Sequence, residues 1–248
     1  MKRIIGLVLL MSVVVSAKAK YTLDSLNYTF KMGYNIGGTA PVGMPVSIRK
    51  LNSYTMQPSI TLGLDVWKDL HGSWGALVGV HIENKGMKTD ATVKNYHMEM
   101  VRSGERLEGM FTGRVVTECN QWSLTIPIQA TYHTGRWLLK AGPYLSYIAT
   151  GTFKGHVYDG YLREGNPTGN KVEMGPESDS SPTYDFSDDM RKFQWGVAVG
   201  ADYRIGQRIG ISADVQWGLN GVFNKSFKTI EQTLYPIYGT IGISYKLK

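Results

Sequence analysis

Phe193-Gln194-Trp195-Gly196-Val197-Ala198-Val199-Gly200-Ala201-Asp202-Tyr203-Arg204-Ile205 decides the fold. Phe193, Trp195, Val197, Val199, Ala201, Tyr203 and Ile205 make one face, and the residues between them make a second face of glycine, polar and charged groups. A period of two is the signature of a strand. Gly206-Gln207 reads as a turn. Ile209, Ile211, Ala213, Val215, Trp217 and Leu219 then repeat the pattern, and so do Tyr235, Ile237, Gly239, Ile241, Ile243, Tyr245 and Leu247.

The same alternation occurs five times upstream, over about 27–37, 54–67, from Trp74, up to His133 and from Arg136. Leu138 and Ile148 break it. Pro127 and Pro143 fall inside strands, where each removes a ladder donor, so a bulge is expected near each. The connections after the second, fourth and sixth strands are short. Those after the first, third, fifth and seventh are long: 38–53, 85–118, 154–191 and 221–232. The pattern predicts an all-β, eight-stranded antiparallel up-and-down transmembrane β-barrel, with short periplasmic turns and long extracellular loops.

A soluble barrel with the apolar face inward shows the same period. Three features favour lipid outside. Aromatics mark both ends of the apolar face: Tyr28, Trp74, Tyr132, Trp137, Tyr203 and Tyr245 toward one end, Tyr34, Trp122, Tyr147, Trp195, Trp217 and Tyr235 toward the other. Two such girdles suit two membrane interfaces. The ten steps from Tyr235 to Tyr245 rise roughly 25 Å at ~3.3 Å each and ~40° tilt, the height of an apolar band. Charges of both signs occupy the polar face in mid-strand, where a lipid-facing lysine or arginine would cost about 2–4 kcal/mol. Glycines crowd that polar face, as a narrow interior needs.

The first residues carry Lys2-Arg3, an apolar run to Ser16 and Ala17-Lys18-Ala19. This predicts a signal peptide over 1–19, cut after Ala19, and a barrel domain over 20–248. Without Lys2, Arg3 and Lys18 the formal charge falls from +7 to +4, with the basic residues scattered, so nucleic acid is not an expected partner. The single cysteine, Cys119, excludes an internal disulfide and reads as a buried thiol.

Thr125-Ile126-Pro127-Ile128, Leu139-Lys140-Ala141-Gly142-Pro143-Tyr144, Trp195 to Gly200 and Gly242-Ile243-Ser244-Tyr245-Lys246-Leu247 give the chain a resemblance. It resembles the small PorT-like barrels of the outer membrane protein beta-barrel domain family of Gram-negative bacteria. The resemblance implies an integral outer-membrane protein, inserted by the barrel-assembly machinery, in contact with outer-membrane lipid. One namesake in the family serves a secretion system.

A small barrel is filled by its own side chains. Lys31, Asp65, Glu83, Lys140, Asp202, Arg204, Asp214 and Lys246 are expected to form a paired lumen network, since unpaired charges there are costly. His81, Glu83 and His133 face inward, the ingredients of a lipid-modifying site, but no nucleophile accompanies them by spacing, and the chain is expected not to be an enzyme. No metal or cofactor motif is present.

The loops remain. Residues 85–118 read as a Met-rich hairpin turning at Ser103-Gly104, either a solvated extension or a surface for an incoming strand. Residues 154–191 are acidic and read as a mobile surface loop without a calcium signature. The leading reading is interaction, adhesion or envelope support through extracellular loops 85–118 and 154–191, with an extracellular protein or surface ligand as partner and both chain ends periplasmic. A narrow transport or secretion-accessory barrel is the alternative.

Overall fold

The computed structural model describes residues 26–43, 45–227, 229–230 and 232–247. The predicted signal peptide lies outside the described residues.

Among the described residues eleven strands form one antiparallel sheet: β1 (Asn27–Pro41), β2 (Ile48–Met56), β3 (Ile60–His71), β4 (Trp74–Arg102), β5 (Glu105–Thr134), β6 (Trp137–Glu164), β7 (Lys171–Met174), β8 (Thr183–Asp185), β9 (Phe193–Arg204), β10 (Ile209–Gly218) and β11 (Leu234–Lys246). Eight of them close a ring in the order β1, β3, β4, β5, β6, β9, β10, β11 and back to β1. The three additional strands lie at the loop end of the ring: β2 pairs with β4, β7 with β6, and β8 with both β4 and β6. The count of eight therefore holds for the ring, and the sheet is larger than expected.

The ring is inside out. Ile241 is 60% exposed and Val199 53%, whereas Asp65 is 1% and Glu83 0% exposed. An apolar surface running around a whole barrel is stable only against lipid or a partner.

Local chemistry explains the turns. Ser103 and Gly104 both have positive φ, 51° and 86°, as a tight two-residue hairpin turn requires. Gly72 and Gly135 take φ of 56° and 59° in the short connections at the opposite, turn end.

Several boundaries differ from the expectation. The second ring strand starts at Ile60, not Tyr54. Pro58 separates the two, and Tyr54 belongs to β2. Pro127 and Pro143 cause no register shift: Pro127↔Tyr144 and Ala130↔Ala141 share one register, and the β5–β6 shifts lie at Thr112/Arg114 and Trp122/Ser123. The Pro127 ring lies beside Gly79, whose missing side chain leaves it room.

The long loops are folded. β4 and β5 pair along almost their whole length up to the Ser103-Gly104 turn. Residues 85–118 are thus not a bare hairpin, because β2, β6 and β8 flank them. Residues 154–191 continue β6, add β7 and β8, and end in a short 3-10 turn at Ser187–Asp189. Tyr184, Phe186 and Met190 from this acidic stretch are buried.

Candidate functional site

The interior is layered along the barrel axis. At the turn end Trp67, Leu77 and Leu138 form a small apolar cluster, which accounts for Leu138 as a break in the alternation. Arg204 and Lys246 also stand at this end. Arg204 reaches His133 at 3.5 Å, and the Lys246 ammonium lies 5.8 Å from the Trp67 ring centre. Neither is placed in the ion pairs deeper in the lumen.

Those pairs come from six strands, with His81 on β4. Lys31 (β1) bridges Asp65 (β3) at 2.8 Å and Asp202 (β9) at 3.1 Å. Lys140 (β6) bridges Asp202 at 2.8 Å and Asp214 (β10) at 2.7 Å. His81 Nε2 lies 2.7 Å from the second Asp65 oxygen. Two glycines make the approach possible: a Cβ on Gly200 would sit 1.9 Å from Asp214 Oδ1, and one on Gly79 would sit 2.1 Å from Asp65 Oδ1.

One layer further, Glu83 accepts from Lys85 at 2.7 Å, from Gln216 at 2.8 Å and from Thr125. Lys85 also donates to Gln216 Oε1 at 2.6 Å and lies 5.6 Å from the Tyr238 ring centre. The network selected by sequence thus lacked His81, Lys85, Thr125 and Gln216. Their inward parity was readable, but only the ring places β4 opposite β10.

The void left among these groups, near His81, Glu83 and Asp214, is about 20 Å³, room for a water and little more. His81 and His133 are not brought together. Thr125 stands opposite His81 in register, and His133 follows eight residues later on β5, about 26 Å along the strand. Among the described residues no three His, Cys, Asp or Glu side chains group as a metal site.

On the outside, the aromatics pair across strands. Trp74 meets Tyr132 with ring centres 4.9 Å apart, and Trp137 meets Tyr203 at 4.7 Å, both at the turn end. Tyr147 meets Phe193 at 5.2 Å toward the loop end. Tyr34, Trp122, Trp195, Trp217 and Tyr245 are exposed, and Tyr28 and Tyr235 are half-buried.

Beyond Lys85 the interior turns apolar. Met87, Val93, Met98, Met100, Phe111, Val115, Cys119, Phe153, Val157, Leu162, Tyr184 and Phe186 belong to one buried cluster. Burial pushes the Cys119 thiol up to about 12, so it is inert at neutral pH. Two bulges keep the cluster facing inward. The β4–β5 register shifts between Val93 and Tyr96, around Asn95 with φ 51°. The β5–β6 register shifts again opposite Asp159, with φ 48°. Each bulge changes the inward parity by one. The hairpin over 85–118 and its turn at Ser103-Gly104 are as the sequence predicts, but the buried cluster is not legible there, because each change of parity hides which side chains face inward. Behind the outer part of β1 this apolar interior opens into a cavity of about 450 Å³.

A closed ring with apolar exterior and ion-paired lumen defines an integral membrane β-barrel. The family model for the outer membrane protein beta-barrel domain matches residues 17–224, and the chain belongs to that family of Gram-negative outer-membrane proteins.

Solved structures give distant likenesses. Ail, the attachment invasion locus protein of Yersinia pestis, in complex with the heparin analogue sucrose octasulfate, is 9% identical; the match covers 90% of this chain and 99% of that one, with a TM-score of 0.38. The outer membrane protein OprG from Pseudomonas aeruginosa is 14% identical, over 89% and 95% of the two chains, with a TM-score of 0.39. Neisserial surface protein A is 8% identical, over 90% and 97%, with a TM-score of 0.32. Among curated proteins no sequence matches the chain.

Proposed function

We propose that this barrel does not conduct and acts at the cell surface through its folded head, as an interaction or adhesion protein. The observation that carries this reading is the contrast in free space: about 20 Å³ among the lumen charges against about 450 Å³ in the head. The ion pairs act as a structural plug, because opening a path would separate buried charges. In this reading the signal peptide is removed after Ala19, the barrel-assembly machinery inserts the chain, and both ends and the short turns lie in the periplasm. Residues 85–118 and 154–191 then face outward together and offer a composite surface to an extracellular protein or ligand. The protein is not an enzyme in this view, since His81 is engaged with Asp65 and lies far from His133.

A secretion-accessory role of the PorT-like kind is the second reading. It draws support from β2, which among the described residues is laddered to β4 alone and so has its other edge available to an added strand.

Planar-bilayer recording of the refolded chain tests the first reading. No resolvable conductance is expected, and steady open-channel steps would overturn it. Crosslinking in intact cells from Arg102 or Glu105, at the head's outermost turn, should then give protein adducts that the same crosslinker at Val197 does not give.

A further inference from the structure

The barrel wall is incomplete in one place. β1 pairs with β11 as far as Pro41, but with β3 only as far as Tyr34. Past Tyr34 the strand that stands where β3 would continue is β2, which is laddered to β4 and not to β1. At the foot of the gap the Asn35 N–H donates to the Ser59 carbonyl at 2.8 Å. Farther out, side chains replace the ladder. The Tyr54 hydroxyl donates to the Gly37 carbonyl, and the Thr39 N–H points at the Met87 sulfur, 3.1 Å away.

The cavity of about 450 Å³ lies behind this gap. Leu51 and Tyr54 of β2 stand at its mouth, 50% and 40% exposed; Met87, Ala91 and Val93 of β4 and Phe186 of the acidic stretch line its interior.

Three features select the occupant. The lining is almost wholly apolar, so an ion or sugar would lose hydration without replacement. The foot of the gap is at Tyr34, in the girdle at the loop end, and the exposed Ile36 and Met56 continue the apolar surface to the mouth. The volume is that of one chain, not two: with a methylene taking about the ~30 Å³ of a water, it accepts on the order of fifteen groups. We infer that the cavity binds the alkyl chain of a single-chain amphiphile, which enters sideways from the outer leaflet through the gap between β1 and β2. The inference rests on the placement of the girdles at the membrane interfaces. It does not require the surface-interaction role.

The test uses the full chain refolded into phosphatidylcholine vesicles, with a diazirine-bearing long-chain fatty acid as probe and mass spectrometry to locate the adducts. Saturable labelling of Met87, Ala91 or Val93 is expected, besides unsaturable labelling of outward Ile241 and Ile243. Ala91→Trp fills the cavity. Leu51→Asp puts a charge at the mouth on an exposed side chain, where it does not disturb folding. Each should lower the saturable labelling about tenfold, as when two or so methylenes lose their place, while heat-modifiable gel migration stays that of the parent. Labelling confined to Ile241 and Ile243, or saturable labelling unchanged in both variants, overturns the inference. So does cavity labelling by a diazirine phospholipid without any by the free acid. Absence of labelling at Ile241 and Ile243 overturns the membrane placement, and the inference with it.

Discussion

Along β4, Val78 and Ile82 are exposed while His81 and Glu83 are buried; farther along the same strand Val93, Met98 and Met100 are the buried ones. One strand therefore obeys two opposite rules. In the ring, apolar side chains face out and charges face in. In the head, apolar side chains face in, as in a protein surrounded by water. The change comes between Lys85 and Met87, near the loop-end girdle. The solvent outside explains it: lipid rewards an apolar exterior and water rewards an apolar interior.

The contrast can be broken most forcefully inside each half. Lys140→Ala removes the lysine that Asp214 pairs with and leaves Asp202 to Lys31 alone, and is expected to cost about 3–5 kcal/mol in urea unfolding from vesicles. A cost under about 1 kcal/mol would mean that water, not lysine, balances those carboxylates. Phe111→Ala removes a fully buried ring from the head and should cost a similar ~3–5 kcal/mol. Its effect should appear as new proteolysis within residues 105–118 while the ring keeps its heat-modifiable migration.

A matched pair of surface substitutions sharpens the comparison. Ile241→Arg, on the exposed face of the ring, should cost about 2–4 kcal/mol, because that face meets lipid. Val101→Arg, equally on the surface but at the tip of the head, should change stability by no more than about 0.5 kcal/mol. Equal effects at the two sites would remove the difference in solvent on which the comparison stands.

Smaller effects test how the head is made. Asn95→Ala forces alanine into a left-handed conformation and should cost about 1–2 kcal/mol, whereas Asn95→Gly should be close to neutral. Equilibrium unfolding of both variants checks this.

The smallest effect is in acid. Burial alone would raise the Asp90 carboxyl, but hydrogen bonds from Arg114, Tyr158 and Asn52 hold it below the usual aspartate value. A carboxyl lowered on folding contributes stability that is present above its unfolded value, near ~3.9, and lost as pH falls through the folded value. Protease resistance of the head should therefore decline below about pH 4, and more shallowly in Asp90→Asn. Identical acid profiles would show that Asp90 does not hold the head.

Legibility divides at the same border. The ring was readable because a half-exposed strand has a period of two, and each residue's face follows from its parity. Val197, Val215 and Ile241 were placed correctly on the outer face for that reason. In the head the hairpin and its Ser103-Gly104 turn are legible, but the packing is not, because Asn95 and Asp159 each insert a residue and reverse the parity, and because Tyr184 and Phe186 are buried by strands far away in sequence. Arg204 and Lys246 were grouped with the lumen charges on parity alone, since parity gives the face but not the height along the axis.

The sequence alone determined the alternation, the order of short turns and long loops, and hence an apolar-outward ring. These are local properties of successive side chains. Which charges meet, where the β1–β2 gap opens and how the head closes over it were decided by the tertiary structure. The reason is physical: those contacts join strands tens of residues apart, and their register is set only when the ring closes.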